Sequence, residues 1–243
     1  MAIQSKLAND HVIIQWNCHG LINKYTEIQI LIQLYSPAVF CLQETLLQKG
    51  VEYKIKGYTP YIKSLENSTN GVAIYVKDSI PQSKIELNSA LQALAVRVTI
   101  QGKTFIISNH YTPHSQSPSK RQFQSIINKF NLPYLMCGDF NAHNILWTSI
   151  KNNTRGDIIE ELVEENDLII LNRTEPTRYD QQYNSWSNID LQLCHPELYL
   201  DLNWEVLEDR HRSDHCPIKI TIPNDLSETD KIPQWNFKTA RWD

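Results

Sequence analysis

The feature that most constrains the fold is a series of short apolar segments, several of which begin or end on polar residues. Each segment has four to eight residues and is rich in Val, Ile, Leu and aromatic side chains, which is typical of β-strands. The segments are HVIIQWN, AVFCLQE, GVAIYV, LAVRVTI, TFIISNHY, YLMCGDF, LIILN, IDLQLC, WEVL and CPIKITI. They predict about ten strands distributed along the whole chain.

Helical periodicity lies between some of these strands. Apolar residues spaced three or four apart predict helices around residues 28–35, 123–130 and 158–165. The stretch 96–107 is interrupted only by Gln101-Gly102, which predicts a β-hairpin, so we expect sheets that mix parallel and antiparallel strands. The pattern as a whole predicts an α/β (α+β) fold.

Length and composition predict one large domain and exclude several classes. The longest apolar runs fall far short of the roughly 20 residues that a membrane helix needs, and the N-terminus has no secretion signal. We therefore expect an intracellular domain over 1–223, followed by a polar connecting segment over 224–243. The five cysteines are widely spaced, which predicts reduced thiols, and none of the seven glycines belongs to a phosphate-binding loop.

The charge distribution limits how the chain can meet nucleic acid. The formal net charge is −4, with a basic excess in residues 1–130 and an acidic excess in 131–243. A chain of this kind does not coat nucleic acid through bulk positive charge. Contact with a phosphate backbone must come from local basic residues, and the candidates near the motifs are Lys120, Arg121, Lys151, Arg155 and Arg178.

Polar residues collect at the ends of the predicted strands. They are Asn17, Glu44, Asn109 to Tyr111, Asp139, Asn141, Asp190, Asp214 and His215. A sandwich of mixed sheets brings such ends to one edge, where carboxylates and amides form an oxygen-rich site that suits Mg²⁺ rather than zinc. Such a cation can polarise a phosphoryl oxygen and activate water.

Taken singly, each of these positions keeps a structural alternative. GDFN could be an Asp/Asn turn, Glu44 an exposed strand end, and Tyr111 a packing residue. Asp214 and His215 could simply cap a loop. Asp190 differs, because it lies in an apolar strand and a buried carboxylate is costly without a partner.

Taken in order, six motifs resemble the series of the endonuclease/exonuclease/phosphatase superfamily. They are QWNCHG, CLQET, NHYTP, GDFNAHN, SNIDLQLC and SDHCPI. The stretches GDFNAHNILW, TRGDIIEELVEENDLIILN and PQWNFKTARW resemble, more narrowly, the apurinic/apyrimidinic-type endonuclease domain of jockey-like non-LTR (LINE-type) retrotransposons. This resemblance implies a deoxyribonuclease-like four-layer sandwich, in which two mixed β-sheets are flanked by helices.

The resemblance also implies a function. Domains of this kind are Mg²⁺-dependent endonucleases that nick one strand of duplex DNA and leave a 3′-hydroxyl, which primes reverse transcription at the target. Mn²⁺ can substitute. The partners implied are double-stranded DNA and a reverse transcriptase domain of the same polyprotein, beyond the segment 224–243. We expect the isolated domain to be a monomer without membrane contact, and its action to be nuclear.

The resemblance assigns roles to the polar residues. Glu44 matches the main metal ligand, Asn17 an asparagine that supports metal and phosphate, and Asp214 a carboxylate close to the metal. The catalytic set is Tyr111 on the scissile phosphate, Asp139 and Asn141 on the attacking water and phosphate, His215 on the phosphate, and Asp190 orienting His215. His19, His114 and His143 match no catalytic position.

A last stretch, 177–187 (TRYDQQYNSWS), predicts a short hairpin with an aromatic tip beside the catalytic residues. We expect it to contribute to target choice, and the predicted DNA-binding residues are Arg155, Arg178, Tyr179, Gln181 and Tyr183. The alternative is an ordinary exposed loop whose tyrosines pack on the body. Two alternatives for the whole chain also stay open, namely another phosphodiesterase or phosphatase of the superfamily and a non-catalytic DNA-binding module.

Overall fold

The structure, a computed structural model, describes residues 11–64 and 70–224. Apart from Asn224, the predicted connecting segment 224–243 lies outside the described residues, so that domain boundary stays a prediction. Within the described ranges, no helix is both long and apolar enough to cross a membrane.

The described residues form fourteen strands and four α-helices. The strands of the first half are β1 (His11–Asn17), β2 (Val39–Gln43), β3 (Tyr58–Lys63), β4 (Val72–Lys77), β5 (Gln82–Ile85), β6 (Gln92–Ile100) and β7 (Lys103–Tyr111). Those of the second half are β8 (Tyr134–Asp139), β9 (Ile169–Ile170), β10 (Arg178–Asp180), β11 (Ser185–Ser187), β12 (Asp190–Cys194), β13 (Asn203–Val206) and β14 (Ile218–Ile222). The helices are α1 (Tyr25–Tyr35), α2 (Lys120–Ile127), α3 (Thr154–Glu165) and α4 (Pro196–Tyr199), with 3₁₀ turns at Ile22–Lys24 and Ile145–Trp147.

The strands form two six-stranded sheets and one separate hairpin. The first sheet has the order β13-β14-β1-β2-β4-β3, the second β5-β6-β7-β8-β12-β9, and β10 pairs with β11. Each large sheet has one parallel pair near its centre, β1 with β2 and β7 with β8, while its other pairs are antiparallel. The predicted mixture of parallel and antiparallel strands is confirmed.

Three apolar cores separate four layers. The middle core lies between the two sheets and joins residues such as Ile13 and Cys41 to Ile107 and Leu135. A second core packs α2 and α3 on one sheet, and a third packs α1 on the other. The predicted sandwich of two mixed sheets flanked by helices is therefore confirmed. Each core-facing strand reads as a near-continuous apolar run because both of its faces are covered.

The strand directions bring the predicted site residues to one edge of this sandwich. The parallel strands β1, β2, β7 and β8 all end there. Strand β12 runs the other way and begins there, with Asp190 opposite Asp139 in register, and Tyr111 is the partner of Asp139 on its other side. The segment before β14 reaches the same edge because Ile218 pairs with Gln15. The fold thus collects residues that lie far apart in sequence.

Candidate active site

A buried histidine and aspartate form the centre of the site. Nδ1 of His215 lies 2.8 Å from Oδ2 of Asp190, and both side chains are almost fully buried. The hydroxyl of Thr177 donates to the same Oδ2 at 2.7 Å, and the Gln15 amide donates to Oδ1 at 3.1 Å. Asp190 therefore has the partners that a buried carboxylate requires.

The carboxylates around His215 favour its protonated form. Burial alone lowers the pKa of an imidazole, but Asp190 and then Asp139 outweigh it and raise the pKa of His215 to about 9. Its free Nε2 lies 3.8 Å from Oδ2 of Asp139 and 3.8 Å from Oδ2 of Asp214. These separations exceed a hydrogen bond, so Nε2 remains able to donate to a further group.

Asp139 faces His215 and is fixed by two donors. The amide of Asn17 donates to Oδ2 at 2.9 Å, and the backbone N–H of Asn141 donates to Oδ1 at 2.9 Å. Burial raises the pKa of Asp139 to about 7, although His215 acts against the shift. A carboxyl with this pKa can accept a proton near neutral pH. Asn141 holds a left-handed backbone (φ 48°) and donates its amide to the carbonyl of Thr112.

Glu44 follows β2 and occupies the more exposed side of the site. Its Oε1 accepts from the Tyr111 hydroxyl at 2.7 Å and from the Asn17 amide at 3.1 Å, and its Oε2 lies 2.9 Å from Nδ1 of His19. Burial, and after it the Glu44 carboxylate, raises the pKa of Tyr111 well above its usual range, so the hydroxyl stays protonated. Asn17 acts as a donor that links Glu44 to Asp139.

The third predicted metal ligand, Asp214, has a different partner. Its Oδ2 accepts from Nε of Arg178 at 2.9 Å. Burial acts to raise the pKa of Asp214, but His215 and Arg178 lower it overall, so the carboxylate stays ionised. The structure thus joins Asn17 and Glu44 directly and ties Asp214 to the hairpin strand β10.

The donor chemistry allows a divalent cation at Glu44 more readily than at the buried cluster. Among the described residues, Asp139, Asp190 and His215 form a buried group whose ligand atoms lie within 4.8 Å of one another. The Asp190 oxygens are already occupied by Gln15, Thr177 and His215. Oε2 of Glu44 instead faces an exposed side chain, and an exposed carboxylate oxygen is a ligand that Mg²⁺ and Mn²⁺ accept. The residues present fit the metal that the sequence predicts.

A buried network of amides supports the site from below. The side chains of Gln15 and Gln43 are hydrogen-bonded across neighbouring strands (2.6 Å), and Gln43 donates to Asn109 of the other sheet at 2.5 Å. Gln192 donates to Gln15 at 2.8 Å. These contacts cross between the two sheets just beneath Asp190. Because the network satisfies the polar groups of its members, it can hold the edge that carries Asp190 rigidly.

The predicted hairpin is present and is attached to the segment before β14 that carries Asp214 and His215. Strands β10 and β11 pair antiparallel, with Tyr179 opposite Trp186 and their ring centroids 5.0 Å apart. The backbone N–H of Tyr179 donates to the carbonyl of Asp214 at 2.8 Å. Tyr179 also lies under the Arg210 guanidinium, 4.7 Å from the ring centroid, whereas Tyr183 and Gln181 are exposed. Tyr179 therefore packs on the body of the protein, as the alternative of an ordinary loop predicts, whereas Tyr183 does not.

Two of the predicted basic DNA contacts are engaged within the protein. Nη2 of Arg155 donates to the carbonyls of Pro113, His114 and Gln116 at 2.5–2.9 Å, and burial lowers its pKa. Lys120 lies 2.7 Å from the carboxylates of both Glu161 and Glu165. Together with Arg178 on Asp214, these side chains have protein partners, so a role on DNA stays a prediction for each.

Two residues in the site carried no role in the sequence interpretation. His19 touches Glu44, and the signal available was its position two residues after Asn17 at the end of a strand. Thr177 was named only as the start of the hairpin. Its hydroxyl also accepts from the backbone N–H groups of Ile189 and Asp190, both at 3.2 Å, and no sequence pattern marks a buried threonine as the support of an aspartate.

The fold and the arrangement of polar residues at its edge can be compared with known proteins. Two mixed sheets in a four-layer sandwich carry an Asp–His pair, a second aspartate, a glutamate and an asparagine at one edge. Residues 105–219 match the family model described as endonuclease-reverse transcriptase.

One solved structure and two curated proteins show more specifically what this chain is similar to. The endonuclease domain of TRAS1, a telomere-specific non-LTR retrotransposon, superposes with a TM-score of 0.76 at 20% identity, covering 89% of this chain and 100% of that one. The chain is 29% identical over 234 residues to the probable RNA-directed DNA polymerase from transposon BS of Drosophila melanogaster, covering 91% of this chain and 25% of that protein. It is 26% identical over 211 residues to the RNA-directed DNA polymerase from mobile element jockey of Drosophila funebris, covering 84% and 23%. The resemblance to the endonuclease domains of jockey-like elements is confirmed, and the chain spans about a quarter of these curated relatives.

Proposed function

We propose that this chain is a divalent-metal-dependent endonuclease domain that nicks one strand of duplex DNA and leaves a 3′-hydroxyl. The observation that carries the proposal is the gap of 3.8 Å between Nε2 of His215 and Oδ2 of Asp139. A proton donor and a proton acceptor face each other there, both buried and both held by further hydrogen bonds. Glu44 and Tyr111 lie beside them, which adds a cation site and a hydroxyl.

Asp139 acts as the general base. Its raised pKa of about 7 allows it to take a proton from water without being fully protonated near neutral pH. The hydrogen bonds from Asn17 and Asn141 fix the carboxylate, so that the water it holds is aligned for in-line attack on phosphorus. The bond from phosphorus to the 3′ oxygen breaks, and that oxygen leaves as the 3′-hydroxyl after taking a proton from solvent.

His215 stabilises the charge that develops on the phosphate. With a pKa of about 9 it is an imidazolium at neutral pH, and its Nε2–H points away from Asp190 toward the gap. Asp190 fixes the orientation of the ring and preserves its charge, which makes the donor preorganised. A cation at Glu44, supported by Asn17, would supply Lewis-acid polarisation of the phosphate and stabilisation of the leaving oxygen.

We expect DNA to be bound by a few side chains near the site rather than by an overall positive charge. The chain has a net charge of −4, so affinity for the backbone must come from a few side chains near the site. The hairpin β10–β11 is the best placed, because its base is bonded to Asp214 and its tip, with Gln181 and Tyr183, is exposed. We propose that the hairpin reads the width and deformability of a groove beside the scissile phosphate.

The relatives suggest the setting of this activity. Proteins that match this chain over a quarter of their length are named RNA-directed DNA polymerases, so a reverse transcriptase domain of the same polyprotein is the proposed partner. The 3′-hydroxyl of the nick would then prime synthesis at the target. Action in the nucleus and a monomeric state of the isolated domain are part of the same proposal.

Nicking of supercoiled plasmid tests the proposal. We expect conversion to open circles in Mg²⁺ and none in EDTA, with Asp139→Ala folded and slower by several orders of magnitude. Release of phosphate from a 3′-phosphorylated strand without plasmid nicking would favour a phosphatase of the superfamily. Tight DNA binding without either reaction would favour the non-catalytic module.

A further inference from the structure

His19, which contacts Glu44, has no role in the mechanism above. Nδ1 of His19 lies 2.9 Å from Oε2 of Glu44, on the solvent side of the site. The other oxygen of Glu44 is occupied by Tyr111 and Asn17, so Oε2 is the oxygen left for a cation. The His19 side chain is 66% exposed and the Glu44 side chain 19%, so ions in solution can reach both.

The backbone holds this pair in an uncommon conformation. His19 (φ 47°) and Glu44 (φ 48°) are both left-handed, a region that costs energy for residues with a Cβ. The two turns are bonded to each other, since the N–H of Gly20 donates to the carbonyl of Glu44 at 2.8 Å. Within the first turn, the N–H of His19 donates to Oδ1 of Asn17 at 3.2 Å. Such strain persists where the surroundings enforce it, and here its result is to aim two side chains at one point.

The spacing of the two donor atoms suits one cation. Bonds of about 2.1 Å at right angles place neighbouring ligand atoms about 3.0 Å apart. The 2.9 Å between Nδ1 and Oε2 is close to that distance, so rotations of the two side chains that turn both atoms toward one cation would suffice, without a change in the backbone. A nitrogen donor changes the preference of a site, because imidazole suits Mn²⁺ and later transition metals better than Mg²⁺, which favours oxygen.

We propose that His19 is a metal ligand of this site, together with Glu44, and that it biases the site toward Mn²⁺ over Mg²⁺. The proposal rests on the proposed function only in that a cation binds at Glu44. It concerns binding rather than turnover, so it can be tested on the protein alone, without DNA.

The test is Mn²⁺ binding followed by electron paramagnetic resonance. Pulsed measurements on the bound ion detect a directly coordinated ¹⁴N nucleus, so the unaltered chain should show imidazole nitrogen coupling, which His19→Ala and His19→Asp should lose. We expect His19→Ala to weaken Mn²⁺ binding on the order of tenfold and Mg²⁺ binding much less. His195→Asn is the matched control, because His195 follows β12 at the opposite edge, and asparagine preserves its cap on α4.

The outcomes separate the two proposals. Nitrogen coupling that His19→Asp removes and His195→Asn leaves supports the ligand role of His19. Bound Mn²⁺ that Glu44→Gln weakens, with no nitrogen coupling in the unaltered chain, overturns the role of His19 and leaves the proposed nuclease site intact. Absence of bound Mn²⁺ and Mg²⁺ at millimolar concentration overturns both, because the cation site itself would be wrong.

Discussion

Replacing Asp139 by asparagine should make the protein more stable while abolishing nicking. Asp139 is fully buried, and its burial raises the pKa of the carboxyl from 3.8 to about 7. The folded protein therefore carries a carboxylate that would be better solvated in the unfolded chain. Asparagine has nearly the same shape and no charge, but it cannot accept the proton of the attacking water.

The size of the stabilisation follows from the pKa shift of Asp139 and from the two groups that donate hydrogen bonds to its carboxylate. At about 1.4 kcal/mol per pKa unit, a shift of this size destabilises the folded state by about 4 kcal/mol once Asp139 is ionised. Asparagine removes this cost but has one acceptor for the two donors, Asn17 and the N–H of Asn141, which costs about 2 kcal/mol. The net stabilisation is about 2 kcal/mol above pH 8, or roughly 4–8 °C in Tm for a domain of this size.

The sign of the pH dependence makes the test specific. When folding raises the pKa of a carboxyl, the folded protein becomes less stable as pH increases from the pKa of the unfolded state, near 4, to the pKa of the folded state, near 7. The advantage of Asp139→Asn should therefore be close to zero at pH 5 and complete at pH 8.5. Thermal unfolding followed by circular dichroism at both pH values measures it, with plasmid nicking in parallel.

The result that would refute this reasoning is a variant less stable than the parent at pH 8.5. A gain of equal size at pH 5 and pH 8.5 would also refute it, because a change in packing does not depend on pH. Asn141→Asp, which adds a carboxylate at a buried position beside the same site, is a matched change in the opposite direction and should destabilise the protein more at pH 8.5 than at pH 5.

Three further predictions concern activity and target choice. Nicking should increase as pH passes about 7, where Asp139 loses its proton, and decrease above about 9, where His215 loses its own; a rate that keeps increasing beyond pH 10 contradicts this. Thr177→Val should slow nicking roughly tenfold at unchanged DNA affinity, because it removes one hydrogen bond to Asp190, and Thr177→Ser should restore the rate; equal loss in both variants contradicts the positioning role. Replacing residues 179–183 by a Gly/Ser turn should redistribute nick positions on a long duplex with the rate within about tenfold, and an unaltered nick map would place target choice elsewhere.

Most of the central strands were predictable from the sequence because they are buried on both faces. The segment HVIIQWN coincides with β1, and the Gln101-Gly102 hairpin is confirmed by left-handed φ values of 51° and 75°. Strands β3 and β5 were not predicted. Both are edge strands, and β3 contains Pro60 while β5 is mostly polar, so neither shows the apolar pattern of a buried strand.

The sequence predicted which residues lie at this edge and one of their pairs, Asp190 with His215, which the structure shows at 2.8 Å, but it did not predict the other pairs. Asn17, Glu44, Asp139, Asp190 and His215 were identified by their order and by their positions at strand ends, and the structure brings them together. The sequence does not show which charged side chains pair, because a pair such as Arg178–Asp214 joins the hairpin to the segment before β14, which lies 36 residues further along the chain. The same holds for the Arg155 guanidinium, whose partners are carbonyls of a loop some forty residues away.

The chemistry of the nicked end tests the central claim most directly. Plasmid nicked by the protein in Mg²⁺ should be extended by a DNA polymerase without prior phosphatase treatment, and Asp139→Asn should yield no extendable ends. This outcome would establish hydrolysis that leaves a 3′-hydroxyl and depends on the proposed base. Ends that are extended only after phosphatase treatment, or equal numbers of extendable ends from Asp139→Asn, would contradict the account.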